Sequence, residues 1–353
     1  MKKTKTKILF IDFTSFYGGG QKFILTASKL LNNQFDFFYT ISSEKLFLEL
    51  NTKNSILISN KIFYSIESIR IINKFIIKNN IEFVILNGNR PIYFSFLITN
   101  KAIKIAYKHT SNNAYINNVS KFFGPIFLNF NYLFCSKIVL LYQNSIKEVY
   151  FNKYKVKVIP NPIENEVFCQ KNTSTLNSTI KLLTISRLDP NKGIYWLLNA
   201  YKILKNSSLL KFELIIAGDG PESEKLSKYI QDNKIKDVNL IGFIEDVTVL
   251  LESADIFILP SKFESLPLSI IEALSFGLPI IATNTGGINE LVLNNKNGFL
   301  VNYNDTKNLI NSIKLLLNDE KLRQQFSIES SHNYMNNFSN RSFMENFKKL
   351  ILT

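Results

Sequence analysis

Short runs of apolar residues alternate with amphipathic stretches along the whole chain. In the first half, runs of strand type lie at residues 7–13, 35–41, 83–86 and 104–107, and a helical pattern at residues 21–31 follows the first of them. The strand-type runs are mostly apolar without strict alternation, which is typical of parallel strands covered on both faces. The pattern therefore predicts βαβ units and a parallel sheet.

The second half of the chain repeats this alternation more regularly. Strand-type runs lie at residues 181–185, 212–217, 238–241, 255–259, 279–283 and 298–301, and helical patterns lie at residues 193–204, 222–233 and 267–276 and in the tail from residue 305. For the helix at residues 267–276 we expect Ser265 as the N-cap and Pro267 in the first turn. The prediction is an α/β protein with two doubly wound, Rossmann-like domains facing across a cleft. Ligands should then bind at the carboxyl ends of the strands.

A polar segment at residues 171–178 lacks apolar periodicity and follows the turn-type pair Asn161-Pro162. We therefore expect the domain boundary near it. The predicted division is a first domain at residues 1–165, a second at residues 166–335, and a C-terminal helix at residues 336–353 that packs back on the first domain.

The chain carries a formal net charge of +14, and the excess of Lys and Arg falls in the first 165 residues. Such an asymmetry indicates an anionic partner. Nucleic acid, an anionic membrane surface and a phosphate-bearing acceptor all fit it, as does a lysine-rich solvated surface.

Targeting and redox signals are weak. The longest mostly apolar stretch, residues 122–141, is interrupted by Gly, Pro, Asn and Lys, and it fits a buried core helix better than a helix lying on a membrane. Asp12 breaks the N-terminal apolar run, so no signal peptide is expected. Cys135 and Cys169 form no CxxC pair, which favours the reducing cytoplasm over a disulfide or zinc site.

Two cations follow the first strand of the second half. Arg187 and Lys192 lie in the segment Ser186–Gly193, which leads from that strand into a helix. Arg can bind a phosphate through two parallel hydrogen bonds, and Lys adds a point charge. The pattern suits a diphosphate, although a surface turn with two solvated cations would look the same.

Three carboxylates follow later strands. Glu264 lies in a loop, and Glu272 lies eight residues further on in an otherwise apolar helix, where burial without a partner would be costly. Sugar and ribose hydroxyls are suitable donors to such groups. Glu290 follows Gly286-Gly287, and its place in the first turn of a helix is favoured by the helix dipole alone.

The first half offers a glycine turn and a histidine. Gly18, Gly19 and Gly20 separate the first strand from the first helix, where a phosphate or an acceptor can approach the backbone. His109 follows a later strand and can hold a sugar hydroxyl or serve a structural role. His332 in the helical tail is expected on the surface. No Asp-x-Asp motif occurs, so the usual ligands for a metal bridging a diphosphate are missing.

Taken in order, these motifs resemble those of the retaining GT-B glycosyltransferases of glycosyltransferase family 4, also described as glycosyl transferases group 1. The likeness covers nearly the whole chain and is densest in the second half. In chain order the shared motifs are Gly18–Gly20, His109, Asn161-Pro162-Ile163, Ser186-Arg187 to Lys192-Gly193, Gly218-Asp219-Gly220-Pro221, Glu264 to Glu272, Gly277-Leu278-Pro279 and Gly286-Gly287 to Glu290.

The resemblance implies a donor site in the second domain. Arg187 and Lys192 would bind the donor diphosphate and stabilise it as the leaving group. Glu272 would hold the nucleotide ribose, and Glu264 would lie by the donor sugar. The remaining donor-binding positions that it implies are Gly218, Ser265, Leu266 and Leu268.

The resemblance also assigns the first domain to the acceptor. Gly18, Gly19 and Gly20 would approach the diphosphate and the acceptor, and His109 would contact the transferred sugar. The implied reaction moves a hexose-type sugar from a UDP- or GDP-sugar to a glycan or lipid-linked acceptor, with retention of configuration and with no metal or other cofactor. The implied setting is the biosynthesis of a bacterial capsule, O-antigen or lipopolysaccharide, in the cytoplasm.

A peripheral position at the inner face of the plasma membrane would explain the basic first half. The lysines expected to favour an anionic surface are Lys2, Lys3, Lys5, Lys7, Lys101, Lys104, Lys108 and Lys121. Two other functions stay open: a non-hydrolysing nucleotide-sugar 2-epimerase on the same fold, and a basic nucleic-acid-binding protein, for which the first half lacks a recognisable motif. The sequence Glu264-Ser265-Leu266-Pro267 departs from the family's frequent Glu-Gly-Phe-Gly, so the donor sugar is not indicated.

Overall fold

A computed structural model describes residues 5–14, 18–58, 65–110, 118–167 and 179–353, with the side chains of residues 118–122 excepted. The predicted polar boundary at residues 171–178 and Cys169 lie outside the described residues. Contacts divide the chain into two units. The first comprises Met1–Glu164 and Asn340–Thr353, and the second comprises Asn165–Ser339.

The first unit is built on a seven-stranded parallel sheet of order β3-β2-β1-β4-β5-β6-β7. Its strands are β1 (Thr6–Asp12), β2 (Phe35–Ile41), β3 (Ser55–Leu57), β4 (Phe83–Asn87), β5 (Ile103–Tyr107), β6 (Lys137–Leu140) and β7 (Val156–Val158). Its helices are α1 (Gly19–Leu31), α2 (Glu44–Leu50), α3 (Ile66–Asn79), α4 (Asn89–Ile92) and α5 (Asn118–Asn131). Short 3₁₀ turns lie at Tyr132–Phe134, Gln143–Glu148 and Lys153–Lys155.

The second unit repeats this plan with six parallel strands of order β10-β9-β8-β11-β12-β13. The strands are β8 (Ile180–Ile185), β9 (Phe212–Ala217), β10 (Val238–Gly242), β11 (Ile256–Leu259), β12 (Ile280–Thr283) and β13 (Gly298–Val301). The helices are α6 (Ile194–Ser207), α7 (Ser223–Asp232), α8 (Thr248–Ser253), α9 (Leu268–Ser275), α10 (Ile288–Leu291), α11 (Thr306–Asn318) and α12 (Glu320–Asn333). A 3₁₀ turn at Pro190–Lys192 and a π-helical turn at Tyr334–Phe338 complete the unit.

The last helix, α13 (Asn340–Leu352), returns to the first unit. The ring of Phe343 meets Phe23 of α1 at 6.0 Å between centroids, and Phe347 meets Phe35 of β2 at 6.1 Å. Asn340 ties the start of the helix to the chain at Ile163 by exchanging two hydrogen bonds of 2.9 and 3.1 Å with its backbone. One face of the first unit is therefore covered by a helix that begins 177 residues after Ile163.

Each sheet is covered on both faces, as its continuous apolar strands require. On β1, Leu9 and Ile11 belong to the same buried cluster as Ile72 of α3. Phe10, which points the other way, meets the edge of Phe23 of α1 at 5.8 Å. The predicted pair of doubly wound α/β domains is confirmed.

Two local predictions were wrong. Residues 122–141 do not form one core helix, because they divide between α5, a 3₁₀ turn and β6. The interruption at Asn131 separates a helical apolar pattern from a strand-type one. In the second unit, α9 begins at Leu268 with Pro267 as its N-cap, and Ser265 lies outside the helix. The backbone carbonyl of Ser265 instead accepts a 2.6 Å hydrogen bond from the N–H of Gly287.

Candidate donor site and a buried histidine network

Strand order reverses direction at one point in each sheet, between β1 and β4 in the first unit and between β8 and β11 in the second. Loops that leave the carboxyl ends of such neighbouring strands diverge, which leaves a crevice where doubly wound sheets bind ligands. Gly18–Gly20 follow β1, and Arg187, Lys192, Glu264, Ser265 and Leu266 follow β8 and β11, at these reversals. His109 follows β5, Gly218 follows β9, and Leu268 and Glu272 lie on α9.

In the second unit, Lys192 and Glu264 form an ion pair across the reversal. The Lys192 Nζ lies 2.6 Å from the Glu264 Oε1, on loops that follow β8 and β11. The side chains are 20% and 11% exposed, so the pair is shielded yet still reachable from solvent. The N–H of Lys262 donates to the carbonyl of Asn191 at 2.7 Å and holds the two loops together. A compact cation is therefore fixed beside a carboxylate where a ligand is expected.

Glycines let the neighbouring loops lie against one another. Gly218 follows β9 with a φ of +140°, and a Cβ added there would lie 1.8 Å from the carbonyl oxygen of Ser186. A Cβ on Gly220 would lie 2.3 Å from the carbonyl oxygen of Leu188. The loop that carries Arg187 is thus packed on the Gly218–Gly220 turn by direct backbone contact. The Arg187 side chain itself is exposed.

The same principle applies on the other side of the reversal. A Cβ on Gly193, where φ is +69°, would lie 2.1 Å from the carbonyl oxygen of Pro260. A Cβ on Gly286, where φ is +58°, would lie 2.1 Å from that of Glu264. Glycine at position 286 is thus required by the close approach of the protein's own backbone. These backbone contacts fix the position of Glu264 at the carboxyl edge of the sheet.

The other predicted donor-binding residues lie between Glu264 and the first turns of α9. Leu266 is buried, so only its backbone could reach a ligand, whereas Ser265 and Leu268 are half-buried. Glu272 lies one turn into α9 and is also half-buried. Glu290 lies in the first turn of α10, as the sequence predicts.

In the first unit, a chain of hydrogen bonds links the glycine turn to His109. The buried carboxylate of Asp12, at the end of β1, accepts from the amides of Gln21 at 2.9 Å and Asn87 at 2.5 Å. The Asn87 amide also donates to the carbonyl of Gly20 at 3.2 Å. The Asn87 Oδ1 lies 2.6 Å from the His109 Nε2.

This chain of bonds fixes the tautomer of His109. Because the Asn87 amide nitrogen donates to two oxygens, its Oδ1 is left as an acceptor, and the His109 Nε2 must carry the proton. The other ring nitrogen, Nδ1, lies 3.2 Å from the amide nitrogen of Asn161 and accepts from it. Both nitrogens of His109 are therefore engaged by protein groups.

The surroundings of His109 keep the imidazole neutral. Its ring stacks on Tyr107 at 5.1 Å and lies 5.1 Å from the ring of Phe23. Burial lowers the pKa of His109 to about 3. Burial also raises the pKa of Asp12, against the hydrogen bonds that it accepts. His109 is thus a neutral Nε2–H imidazole near neutral pH, and not a cation.

The glycine turn is bound to the same network. The N–H of Gly18 donates at 2.9 Å to the side-chain oxygen of Gln21, which is the reciprocal half of a capping box. A Cβ on Gly20 would lie 3.3 Å from the Asn87 amide and 3.6 Å from the His109 ring. Gly19 is exposed. Sequence reasoning missed Asn87 and Gln21 as members of this site. The sequence did contain a signal for each of them. Asn87 is a polar residue at the end of an apolar strand, and Gln21 is the third residue of a helix capped by glycine.

Some of the predicted basic residues do not face solvent. Lys104 is buried and donates to the carbonyls of Ser95 and Ile98, each at 3.0 Å. Lys108 is buried and pairs with Glu148 at 2.5 Å. The expectation that both lysines attract an anionic surface is wrong. The side chains of Lys2, Lys3 and Lys121 lie outside the described residues.

Two further findings concern the described residues as a whole. Within them, no helix is long and apolar enough to cross a membrane. Among the same residues, no three His, Cys, Asp or Glu side chains cluster in a way that could hold a metal ion.

The family model described as Glycosyl transferases group 1 matches residues 170–332 of this chain. An uncharacterized glycosyltransferase of Haemophilus influenzae is 28% identical over 324 residues, covering 89% of this chain and 90% of the relative. The UDP-Gal:alpha-D-GlcNAc-diphosphoundecaprenol alpha-1,3-galactosyltransferase of Escherichia coli is 31% identical over 219 residues, covering 59% of this chain and 56% of that protein.

Among solved structures, HepE of Anabaena in complex with UDP superposes with a TM-score of 0.83. The two chains are 18% identical, and the match covers 99% of this chain and 100% of the other. At that identity the likeness shows the fold, and the predicted GT-B fold is confirmed.

Proposed function

We propose that this protein is a retaining glycosyltransferase of family 4 that moves a hexose-type sugar from a UDP- or GDP-sugar to a glycan or lipid-linked acceptor. The match to glycosyl transferases group 1 and the two glycosyltransferase relatives support the transferase activity itself. The observation that carries the proposal is the Lys192–Glu264 ion pair at the strand reversal, with Arg187 on the same loop as Lys192.

The proposed chemistry begins with the diphosphate. Arg187 and Lys192 bind it and stabilise the negative charge that grows as the bond between the anomeric carbon and the phosphate oxygen breaks. The diphosphate competes with Glu264 for Lys192, which leaves the carboxylate of Glu264 able to accept hydrogen bonds from the donor sugar. Glu272 holds the ribose hydroxyls.

The acceptor hydroxyl attacks the anomeric carbon on the face that the phosphate leaves. Its oxygen forms the new glycosidic bond, and its proton passes to the departing phosphate oxygen, so the configuration is retained. His109 has both ring nitrogens engaged by Asn87 and Asn161. We therefore assign it a packing role toward the transferred sugar and no proton transfer. Gly18, Gly19 and Gly20 approach the diphosphate and the acceptor with their backbone. The two cations supply the charge for which other transferases use a metal, so the reaction is metal-independent.

The proposed setting is bacterial surface polysaccharide assembly at the cytoplasmic face of the plasma membrane. The Escherichia coli relative, as its name states, uses a UDP-linked donor and an acceptor on diphosphoundecaprenol. An acceptor on a lipid diphosphate requires that the enzyme reach a membrane surface.

The test is a donor screen with the purified full chain. UDP-, GDP- and dTDP-hexoses are incubated with EDTA present, and the release of free nucleotide is measured. We expect one nucleotide class to be hydrolysed and Arg187→Ala to lose most of that activity. With a lipid-diphosphate acceptor, the anomeric proton coupling of the product should match that of the donor.

Four results would count against the proposal. An inverted product would contradict retention, and a requirement for added divalent metal would contradict metal independence. Epimerised nucleotide sugar formed without any acceptor would favour the 2-epimerase instead. Salt-sensitive binding of nucleic acid, indifferent to Arg187→Ala, would favour a nucleic-acid-binding protein.

A further inference from the structure

Helix α5 and the turn that follows it expose an apolar surface in the first unit. Its side chains are Phe123, Ile126, Phe127, Phe130, Leu133 and Phe134, and each is between 39% and 61% exposed. We call this set the α5 face. Residues 123, 126, 127 and 130 follow the spacing of one side of a helix, while Leu128 on the opposite side is fully buried. The helix is therefore apolar on the side that faces solvent as well as on the side that packs.

The α5 face is continuous and supported from below. The rings of Phe130 and Phe134 lie 5.6 Å apart, and Phe134 lies 6.0 Å from Phe96, which is itself exposed. Asn129 fixes the helix by donating to the carbonyl of Glu148 at 3.0 Å and accepting from the N–H of Tyr150 at 2.6 Å. Contiguous exposed aromatic surface of this kind marks an interaction site in a soluble protein.

The charge around the α5 face selects its occupant. From residue 83 to residue 147 the sequence contains seven Lys or Arg and no Asp or Glu, although Lys104 is buried and Lys108 is buried in an ion pair with Glu148. Lys101, four residues after exposed Leu97, and Lys147, beside the Asn129 contact, are both exposed. Pairing two copies through this face would bring two basic surfaces together, which is unfavourable. An anionic bilayer matches both properties, because acyl chains take the aromatic rings and headgroups take the lysines.

We infer that the α5 face docks this protein on an anionic lipid bilayer, with the phenylalanine rings at the boundary between headgroups and acyl chains. The inference rests on the proposed function only for the reason why a bilayer must be reached. It moves the membrane contact away from Lys104 and Lys108, which are buried, to an aromatic surface bordered by Lys101 and Lys147.

The experiment is flotation with vesicles of phosphatidylcholine alone or mixed with an equal amount of phosphatidylglycerol. The test variant is Phe127→Glu with Phe130→Glu. The matched control is Leu48→Glu with Ile66→Glu, which alters the charge equally at two exposed apolar residues of the same unit, 73% and 70% exposed. Circular dichroism and thermal unfolding establish that all three proteins are folded.

We expect the wild type to float with anionic vesicles at low salt, and the test variant to bind about tenfold or more weakly. The control variant should bind within about threefold of the wild type, since its added charges lie on α2 and α3 and not on the α5 face. Equal losses in both variants would overturn the inference, as would wild-type protein that fails to float. A wild-type dimer that the test variant converts to a monomer in sedimentation velocity would assign the face to a second copy and overturn it as well.

Nucleotide-sugar hydrolysis in solution separates this inference from the proposed function. The test variant should hydrolyse the donor at the wild-type rate, because its changes lie on α5. Intact hydrolysis without vesicle binding would sink the docking inference and leave the transferase standing. Vesicle binding by a protein that hydrolyses no nucleotide sugar would do the reverse.

Discussion

Lys192 is held by Glu264 at 2.6 Å, beside a neighbouring lysine that makes a different contact. Lys262 is exposed and lies over the ring of Phe263 at 5.2 Å. Since Lys192 is proposed to stabilise the leaving diphosphate, we expect Lys192→Ala to lower kcat/KM for nucleotide-sugar turnover by roughly 10²–10³-fold. Lys262→Ala should change it less than about threefold. Equal effects of the two substitutions would show that general positive charge, and not the paired lysine, matters.

The tautomer of His109 can be observed directly, because the chain has only two histidines. The hydrogen bond that His109 donates to Asn87 and the one that it accepts from Asn161 require a proton on Nε2 and none on Nδ1. We expect two-bond ¹H–¹⁵N spectra to show this neutral form from about pH 8 to about pH 5, consistent with a pKa of about 3. His332→Gln assigns the signals. In Asn87→Ala, where the acceptor is lost, the tautomer should become mixed; an unchanged spectrum would contradict the network.

The same histidine gives stability a pH dependence of known sign. Its pKa falls from about 6.5 in an unfolded chain to about 3 in the fold. Between these two pKa values the unfolded chain therefore binds one proton more than the folded chain. The contribution of the neutral imidazole to stability is complete above about pH 6.5 and is lost as the pH falls toward the folded pKa of about 3. Burial of Asp12 raises its pKa and acts in the opposite direction. When the pH falls from about 7.5 to about 5, we expect the free energy of unfolding in urea to decrease less for His109→Gln than for the wild type. The difference should be up to about 1.4 kcal/mol for each pH unit below the unfolded pKa. Parallel losses would contradict the assignment.

Sequence could place His109 after a strand but could not supply its partners. Asp12 and Asn87 are 75 residues apart in the chain, and Asn161 lies 52 residues beyond His109. Only the strand order brings them together, since β1, β4 and β5 are consecutive in the sheet. Lys192 and Glu264 were predicted as separate contributors, and their pairing needed the same information.

The glycine contacts between loops lead to a prediction for the element that holds Arg187. Gly218→Ala places a Cβ 1.8 Å from the Ser186 carbonyl oxygen, so the two loops must separate. Gly242 also has a positive φ, of +76° against +140° at Gly218, but nothing lies within 4 Å of a Cβ added to it. We expect Gly242→Ala to cost about 1 kcal/mol of unfolding free energy, from backbone strain alone. Gly218→Ala should cost at least about 2 kcal/mol more and weaken nucleotide binding. Equal costs would show that φ, and not the close approach, makes glycine necessary.

Elements were predictable where apolar runs were long and ended at glycine or proline. In the second unit β9, β10 and β11 satisfy this condition at Gly218, Gly242 and Pro260, and all six strands were predicted within a few residues. The three-residue β3 was missed because Ser55–Leu57 is too short to show a period. Helix α5 and strand β6 were predicted as one segment because both are apolar. They differ in burial, which the sequence does not show: one side of α5 is exposed, whereas β6 is buried.

At the scale of the whole molecule, the basic residues of the first half do not all lie on the surface, as its net charge had suggested. Lys104 and Lys108 serve the interior, so the basic excess that reaches solvent is smaller than the sequence suggests. In the docking inference, the aromatic α5 face takes over the role expected of those lysines. Composition predicted an anionic partner for the first half, but could not predict the exposed apolar surface to which the inference assigns part of the contact.

The first unit depends on the end of the chain, because Phe347 of α13 is fully buried and meets Phe35. We expect Phe347→Ala to cost about 3–5 kcal/mol of unfolding free energy in the first unit. Leu352→Ala, at a residue that is 70% exposed on the same helix, should cost less than about 0.5 kcal/mol.

Two probes in one urea titration can locate that loss. The only tryptophan, Trp196, lies in the second unit and is 8% exposed, so its fluorescence follows that unit, while far-ultraviolet circular dichroism follows both. Phe347→Ala should move an early part of the dichroism transition to lower urea and leave the Trp196 midpoint nearly unchanged. A loss no larger than that of Leu352→Ala would mean that the first unit is complete without α13. An equal shift of both probes would mean that the two units unfold as one.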